Sequence, residues 1–273
     1  VVASRMMEEG HYTTHDDLAA DLRTRDGKSM DRASVTRLLR IGKIPERLLR
    51  QMSDHEKTCG LRAAYEVIAP GVRECDAVAR IYAAETAGHP DFAGDITALP
   101  PTILAGENST APHILWGNRR FEATETVALE LAGACRHYTS GLARTLQLGK
   151  PPQALVDTAK AVLEGMEAVV SFTRPGVTGE QIEAEWRKVI ARYGLKKESR
   201  IGYGIGIAYP PDWGEHTISL RHGDKHVMEP GNTVHCILGM WMEGFGMEVS
   251  ETILVTDKGC ECLTQFTREI HYK

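Results

Sequence analysis

An internal repeat constrains the fold of this 273-residue chain more than any other sequence feature. In the first copy, Pro70-Gly71-Val72 connects an apolar helical segment to an amphipathic helix predicted over residues 74–87. In the second copy, Pro175-Gly176-Val177 leads into a helix predicted over residues 179–193. A glycine ends both helices and strand-like sequence follows each of them, so the repeat predicts an internal duplication with pseudo-twofold symmetry. A site commonly lies between two such halves, although two Pro-Gly turns can also resemble each other by chance.

Strand signals lie at residues 126–135, 233–241 and 248–256, and the last of these alternates apolar and polar side chains. Gly231-Asn232 and residues 257–259 are turn signals between strands. Together with the repeat, these segments predict an α+β fold over residues 54–273, with a curved antiparallel sheet covered by helices.

The composition is that of an ordinary globular protein, with 42% hydrophobic and 25% charged residues. The net charge of −5 argues against binding of the whole chain to a polyanion. No apolar run approaches the roughly twenty residues that a membrane span needs, and the first ten residues are too polar for a signal peptide. The six scattered cysteines are typical of free thiols. We therefore expect a cytoplasmic protein with no membrane partner.

Residues 1–53 predict a small all-α segment, with helices at residues 1–9, 14–22 and 31–41 and with Thr14 or Asp16 as a possible cap. This segment resembles the helix-turn-helix of ParB-type and RepB-type partition proteins, whose second helix enters the major groove. Its basic side chains suit phosphate contact, in particular those of Arg32, Arg37 and Arg40. A basic helix is also typical of a solvated surface, so DNA binding through residues 1–53 remains an open alternative.

Residues 202–216, with the sequence GYGIGIAYPPDWGEH, have the composition of a binding site. Alternating glycines let a backbone approach a ligand closely, and Pro210-Pro211 would hold a loop rigid. A dinucleotide-binding loop needs a helix directly after its glycines, and the two prolines disfavour that helix. We therefore expect a rigid loop that forms part of a site.

The order of these landmarks resembles the pita-bread catalytic domain of the creatinase, prolidase and methionine aminopeptidase superfamily over residues 60–270. The segments that carry the resemblance are residues 106–109, 112–113, 138–149, 175–176, 202–206, 229–231 and 251–256. Residues 129–145, 202–215 and 235–251 are similar to the ectoine hydrolase branch in particular. That branch opens the cyclic amidine of ectoine to N-acetyl-2,4-diaminobutyrate.

The resemblance implies a homodimer that acts on an ectoine-like zwitterion. Full-length members carry an N-terminal α/β domain that borders the active site of the neighbouring subunit. We expect this chain to correspond to the catalytic domain only, with activity impaired by the loss of the other domain.

The metal ligands of the superfamily are not retained. Its metallopeptidases hold two divalent cations with two aspartates, one histidine and two glutamates. Carried over position by position, these ligands correspond to Glu130, Gly141, Tyr203, Ile237 and Ser250. Only Glu130 is a suitable ligand, so we expect no metal and no other cofactor. This disfavours an Xaa-Pro peptidase and favours a metal-free hydrolase; creatinase, which has a histidine at the position of Tyr203, is a less close match.

Four residues are candidates for catalysis. Glu130 lies in an apolar strand, where burial would raise its pKa, and the resemblance implies a nucleophile or general base. Tyr203 would donate a hydrogen bond to the tetrahedral centre. His113 and His235 are candidates for proton transfer to the leaving nitrogen. For each of the four, a structural role is the open alternative.

Six residues are candidates for binding the substrate. Glu248 and Glu251 are three apart on a strand and so face opposite sides, and we expect Glu248 to contact the ring nitrogens. The other candidates would stack on the amidinium or close over it, and they are Trp213, Trp241, Asp212 and Glu215. Arg144 is expected to be structural, and no cation is singled out for the ligand's carboxylate. A second hypothesis is a ligand-sensing DNA-binding protein with a degenerate enzyme domain.

Overall fold

The computed structural model describes residues 12–21, 60–264 and 266–273. The chain divides into two compact units, residues 1–49 and residues 50–273. In the first unit the described helix is α1 (His15–Asp21), which begins with a capping box. Thr14 Oγ1 accepts a hydrogen bond from Asp17 N at 3.1 Å, and Thr14 N donates to Asp17 Oδ2 at 3.2 Å. Thr14 is therefore the cap.

The remaining residues of the predicted helix-turn-helix lie outside the described residues. They include the three candidates for DNA contact, Arg32, Arg37 and Arg40. DNA binding by this segment therefore stays a prediction.

Two helix pairs correspond to the two copies of the repeat. They are α2 (Leu61–Val67) with α3 (Glu74–Ala87), and α4 (Gln153–Phe172) with α5 (Gly179–Arg192). Gly88 ends α3 with a φ of 64°, a conformation that glycine adopts without strain. Thr178 begins α5 with a capping box that it shares with Gln181. These features confirm the predicted helices at residues 74–87 and, to within one residue, 179–193.

The described strands form one sheet. They are β1 (Thr102–Ala105), β2 (Glu125–Cys135), β3 (Tyr138–Leu148), β4 (Gly202–Tyr209), β5 (Asp212–Ser219), β6 (Thr233–Met242), β7 (Phe245–Val255), β8 (Cys260–Cys262) and β9 (His271–Tyr272). The order is β1-β2-β3-β4-β6-β7-β8, while β5 pairs with β4 and β9 pairs in parallel with β3. The other ladders are antiparallel. The predicted α+β class is confirmed.

The glycine-rich stretch is a hairpin and not the expected loop. β4 pairs with β6, so that Tyr203 lies opposite His235, and β5 folds back on β4 after Pro210-Pro211. Alternation of glycine with larger side chains places Tyr203 and Ile205 on the same face of β4. Only the two prolines, which cannot donate to a ladder, stand in the turn.

Each half of the sheet packs against its own helix pair. One core cluster joins α4 and α5 to β6 and β7, and it contains Met166, Trp186, Leu238 and Val249. A second cluster joins α2 and α3 to β1, β2 and β3. Within the described part of the chain, none of the helices has the length and hydropathy needed to span a membrane.

Gly165 on α4 provides a test of the first cluster. A Cβ at this position would lie 2.2 Å from Trp186 Cε3. We expect Gly165→Ala to lower the free energy of unfolding by about 1–3 kcal/mol, because overpacking outweighs the helix propensity gained. Urea unfolding measures the change. Gly259→Ala is the matched control, since a Cβ there meets nothing within 4 Å. An unchanged stability in Gly165→Ala would contradict the close packing of α4 on α5.

Candidate active site

A cavity of about 460 Å³ lies where strands of the two halves meet. Six of the predicted site residues line it, namely His113, Glu130, Tyr203, Asp212, Trp241 and Glu248. The other lining residues are Leu99, Pro100, Thr102, Pro112, Leu115, Lys197, Ser199, Arg200, Pro211 and Ile237. The pocket therefore combines apolar walls with several convergent charged groups, as small-molecule sites do.

Glu130 is a buried carboxyl group at the floor of the cavity. It lies on β2, opposite Ala143 of β3, and only 4% of the residue is exposed. Burial raises its pKa to about 7, and the negative charge of Asp212 contributes to the increase. His113 Nε2 lies 3.8 Å from Glu130 Oε2, and the His113 side chain is largely exposed. His113 therefore places a solvent-facing imidazole close to the buried carboxyl group of Glu130.

Glu248 brings a second buried carboxyl group to the same cavity. Burial holds its pKa well above the ordinary value, Glu130 raises it further, and Lys197 opposes the increase. Its Oε2 atom is buried and has no hydrogen-bond partner among the described residues. An unpaired buried carboxyl oxygen is costly, so this atom is ready to accept a hydrogen bond from a ligand.

Lys197 and Arg200 are functional candidates that the sequence reasoning missed. Lys197 Nζ donates to the carbonyl of Gly239 and lies 5.9 Å from the centre of the Trp241 ring. Burial lowers the pKa of Lys197, and Glu248 offsets part of the decrease. Arg200 Cζ lies 4.4 Å from the centre of the Tyr203 ring. The sequence signal that could have indicated them is the basic segment at residues 196–200, just before β4. This segment has neither helix nor strand periodicity.

The positions that correspond to metal ligands do not fit a two-metal centre. A Cβ on Gly141 would lie 2.9 to 3.1 Å from three atoms of the His235 ring. The imidazole therefore occupies the space that an aspartate at position 141 would need. Tyr203, Ile237 and Ser250 supply no carboxylate. Within the described ranges, no group of three or more histidine, cysteine, aspartate or glutamate side chains has the arrangement of a metal site.

His235 does not line the cavity, contrary to its expected contact with the leaving nitrogen. It is fully buried, with Nδ1 3.0 Å from Tyr203 Oη and Nε2 2.7 Å from Ser250 Oγ. Burial lowers its pKa to about 3, and the charges of Arg200 and Arg144 act in the same direction. The ring is therefore neutral at physiological pH and lies behind the Tyr203 hydroxyl.

Glu251 and Trp213 also lie outside the cavity, which corrects their expected substrate contacts. Glu251 accepts hydrogen bonds from Arg144 Nη2 at 2.9 Å and from Arg268 Nε at 3.0 Å. It faces away from Glu248, as their spacing on β7 predicts. Trp213 is 1% exposed and packs 5.8 Å from the His235 ring. The side chain of Glu215 lies outside the described part.

The sequence matches Metallopeptidase family M24 over residues 50–257, and the chain belongs to this family. An uncharacterized hydrolase/peptidase of Sinorhizobium fredii is 40% identical over 213 residues, or 78% of this chain and 54% of that protein. Ectoine hydrolase of Halomonas elongata is 38% identical over 214 residues, or 76% of this chain and 54% of that protein. The chain thus spans about half the length of these relatives.

Solved structures confirm the pita-bread fold. Prolidase from Pyrococcus furiosus superposes with a TM-score of 0.73 and is 25% identical. The superposition covers 86% of this chain and 68% of that structure. The largely antiparallel sheet with its two helix pairs therefore has the architecture of this prolidase.

The raised pKa of Glu130 predicts a pH-dependent effect on stability. The pKa is about 7 in the folded protein against an ordinary value of 4.5. Between these values the folded state binds more protons than the unfolded state, so the free energy of unfolding falls as pH rises. We expect Glu130→Gln to lack this decrease, which amounts to about 3 kcal/mol. Relative to the wild type, the variant should therefore gain stability across this pH window.

Urea unfolding at a series of pH values measures this difference. Glu243→Gln, which alters an exposed carboxyl group in the β6–β7 turn, is the control and should follow the wild-type profile. A difference between Glu130→Gln and the wild type that does not vary with pH would show that Glu130 is not a buried titrating group.

Proposed function

We propose that this chain is a metal-independent hydrolase that opens the cyclic amidinium ring of a small zwitterion such as ectoine. The observation that carries the proposal is the charge arrangement of the cavity. Two buried carboxyl groups, Glu130 and Glu248, share it with two cationic side chains, Lys197 and Arg200. Membership of family M24 and the similarity to Ectoine hydrolase support a hydrolase.

The carboxyl groups suit the amidinium end of such a ligand. An amidinium carries two N–H donors and a delocalised positive charge, and it binds best to carboxylates that can accept both bonds. Burial raises the pKa of both Glu130 and Glu248 and so favours their neutral forms in the free protein, and the negative charges of Asp212 at Glu130 and of Glu130 at Glu248 act in the same direction. A bound cation opposes both effects, so binding promotes ionisation of the carboxyl groups it contacts.

The cationic side chains suit the carboxylate end. Arg200 is exposed at the cavity and presents a planar set of donors, which matches a carboxylate in two hydrogen bonds. Lys197 is half-buried beside Trp241 and supplies a point charge close by. A zwitterion whose charges match both groups is thereby held in one orientation, with its ring toward Glu130 and Glu248.

The reaction adds water across the ring carbon and breaks one carbon–nitrogen bond. Glu130 acts either as the nucleophile or as the base that takes a proton from water, and in both cases the ring carbon becomes tetrahedral. The Tyr203 hydroxyl stabilises this centre by a hydrogen bond. In the base route the leaving nitrogen takes the proton that Glu130 removed from water and departs as an amine, while the ring carbon and its methyl group remain as an acetamide. In the nucleophile route the leaving nitrogen takes a proton from water, the hydroxide so formed adds to the same carbon, and the bond from that carbon to Glu130 breaks to release the acetamide. His113, which faces solvent beside Glu130, takes up the proton that Glu130 loses when the substrate binds and returns a proton after the product leaves.

Incubation with ectoine tests the proposed reaction. We expect N-acetyl-2,4-diaminobutyrate by mass spectrometry, at the same rate with and without EDTA. Glu130→Gln should show no turnover while keeping the wild-type circular dichroism spectrum. Absence of product at high protein concentration would refute the substrate assignment. Loss of activity in EDTA that a divalent cation restores would refute metal independence.

Arg200→Met tests the carboxylate end of the cavity. Removing a charge-assisted hydrogen bond to the substrate should raise KM about tenfold and leave kcat nearly unchanged. Steady-state kinetics with ectoine separate the two constants. Lys196→Met is the matched control, because Lys196 belongs to the same basic run but does not line the cavity. Equal effects of both variants would mean that only the general positive charge matters.

A further inference from the structure

A chain of hydrogen bonds connects the backbone of β3 to the hydroxyl group of Tyr203. The amide of Ala143 donates to Ser250 Oγ at 2.6 Å. Ser250 Oγ lies 2.7 Å from His235 Nε2, and His235 Nδ1 lies 3.0 Å from Tyr203 Oη. All four groups are buried, so the protons of Ser250 and His235 need acceptors within the chain, while Tyr203 also borders the cavity.

The backbone amide of Ala143 determines the direction of donation along this chain of hydrogen bonds. A backbone amide can only donate, so Ser250 Oγ accepts at that end and has its own proton to give. The acceptor that the structure offers this proton is His235 Nε2. A neutral imidazole has one donor and one acceptor, so Nδ1 carries the proton and donates it to Tyr203 Oη. The burial that lowers the pKa of His235 to about 3 keeps the ring neutral.

Packing holds the imidazole in this orientation. Gly141 leaves room for the ring, since a Cβ there would approach three ring atoms within 3.1 Å. The Tyr203 ring meets it edge-on at 5.3 Å, and the Trp213 ring lies at 5.8 Å. A rotation of the imidazole out of its plane would break the hydrogen bonds to Tyr203 and Ser250.

We propose that His235 is a positioning residue that makes the Tyr203 hydroxyl a donor directed into the cavity. Because Tyr203 Oη accepts the proton of His235 Nδ1, its own proton is left for a group in the cavity. The consequence for catalysis rests on the proposed function, in which Tyr203 donates to the tetrahedral centre. The neutral relay thus stands where the metal ligands of the family would be.

Two variants of His235 separate positioning from packing. In His235→Asn the side-chain amide takes the place of Nδ1 and can still donate to Tyr203. In His235→Gln it takes the place of Nε2 and can reach only Ser250. With ectoine, we expect kcat within about tenfold of the wild type for His235→Asn and a loss of about a hundredfold for His235→Gln. KM should change little in either variant. Equal losses of kcat in two folded variants would overturn the proposal.

A second measurement does not depend on turnover. In a 15N NMR spectrum of histidine-labelled protein, His235 should show a protonated Nδ1 and an unprotonated Nε2 from about pH 5 to about pH 9. The His235→Asn spectrum identifies the signal among the 11 histidines. A protonated Nε2 would overturn the proposal whether or not ectoine is hydrolysed. A protonated Nδ1 in a protein that does not hydrolyse ectoine would support the relay and refute the proposed function instead.

Discussion

Hydroxyl side chains join β3 to β7, although no strand ladder connects these two strands in the described part. Thr145 Oγ1 accepts from Glu248 N and donates to Glu248 O, both at 2.9 Å. Ser250 Oγ accepts from Ala143 N, and Thr252 Oγ1 donates to the carbonyl of Gly141 at 3.0 Å. These bonds satisfy backbone groups that would otherwise be buried without partners, so they hold the two halves of the sheet together. Glu130 from one half and Glu248 from the other reach one cavity for this reason.

The two acidic residues Glu248 and Glu251 of β7 have different surroundings, because they lie on opposite faces of the strand. Glu251, on the face away from the cavity, has its pKa raised by burial, and the positive charges of Arg144 and Arg268 offset part of this increase. Glu248, on the cavity face, has Lys197 as the opposing charge among the described residues, and the negative charge of Glu130 raises its pKa further. One strand therefore carries a structural carboxyl group in ion pairs with two arginines and a second carboxyl group that faces the cavity, where a ligand can contact it.

Local signals in the sequence predicted the parts of the fold that local interactions determine. The helices after the two Pro-Gly turns and the strands at residues 126–135, 233–241 and 248–256 follow from periodicity, caps and turns. The hairpin of β4 and β5 was expected to be a loop, because its strand character depends on pairing with β6, which is distant in sequence. Lys197 and Arg200 were missed for the same reason, since only the tertiary fold turns their segment toward the cavity.

The role of His235 could not be predicted by comparing single positions of this sequence with the metal ligands of the family. Read alone, Gly141 is a lost metal ligand and His235 a possible proton carrier. In the structure the two residues are neighbours, and the imidazole of His235 fills the space that the missing side chain of Gly141 leaves. The pairing of Gly141 with His235 is invisible in the sequence, since these residues are adjacent only where β3 contacts β6 in the fold.

The uncharged hydrogen-bond chain of Ser250, His235 and Tyr203, which stands in place of metal ligands, favours a particular class of substrate. A metal centre supplies positive charge that polarises a neutral amide carbonyl, and the imidazole and hydroxyl groups found here supply hydrogen bonds without that charge. The two carboxyl groups make the floor of the cavity favourable to cations. An amidinium ring brings its own positive charge and an electron-poor carbon, so it needs less polarisation from the protein than a peptide bond does. The changed ligand positions therefore support the proposed substrate class, because both favour a substrate that carries its own positive charge.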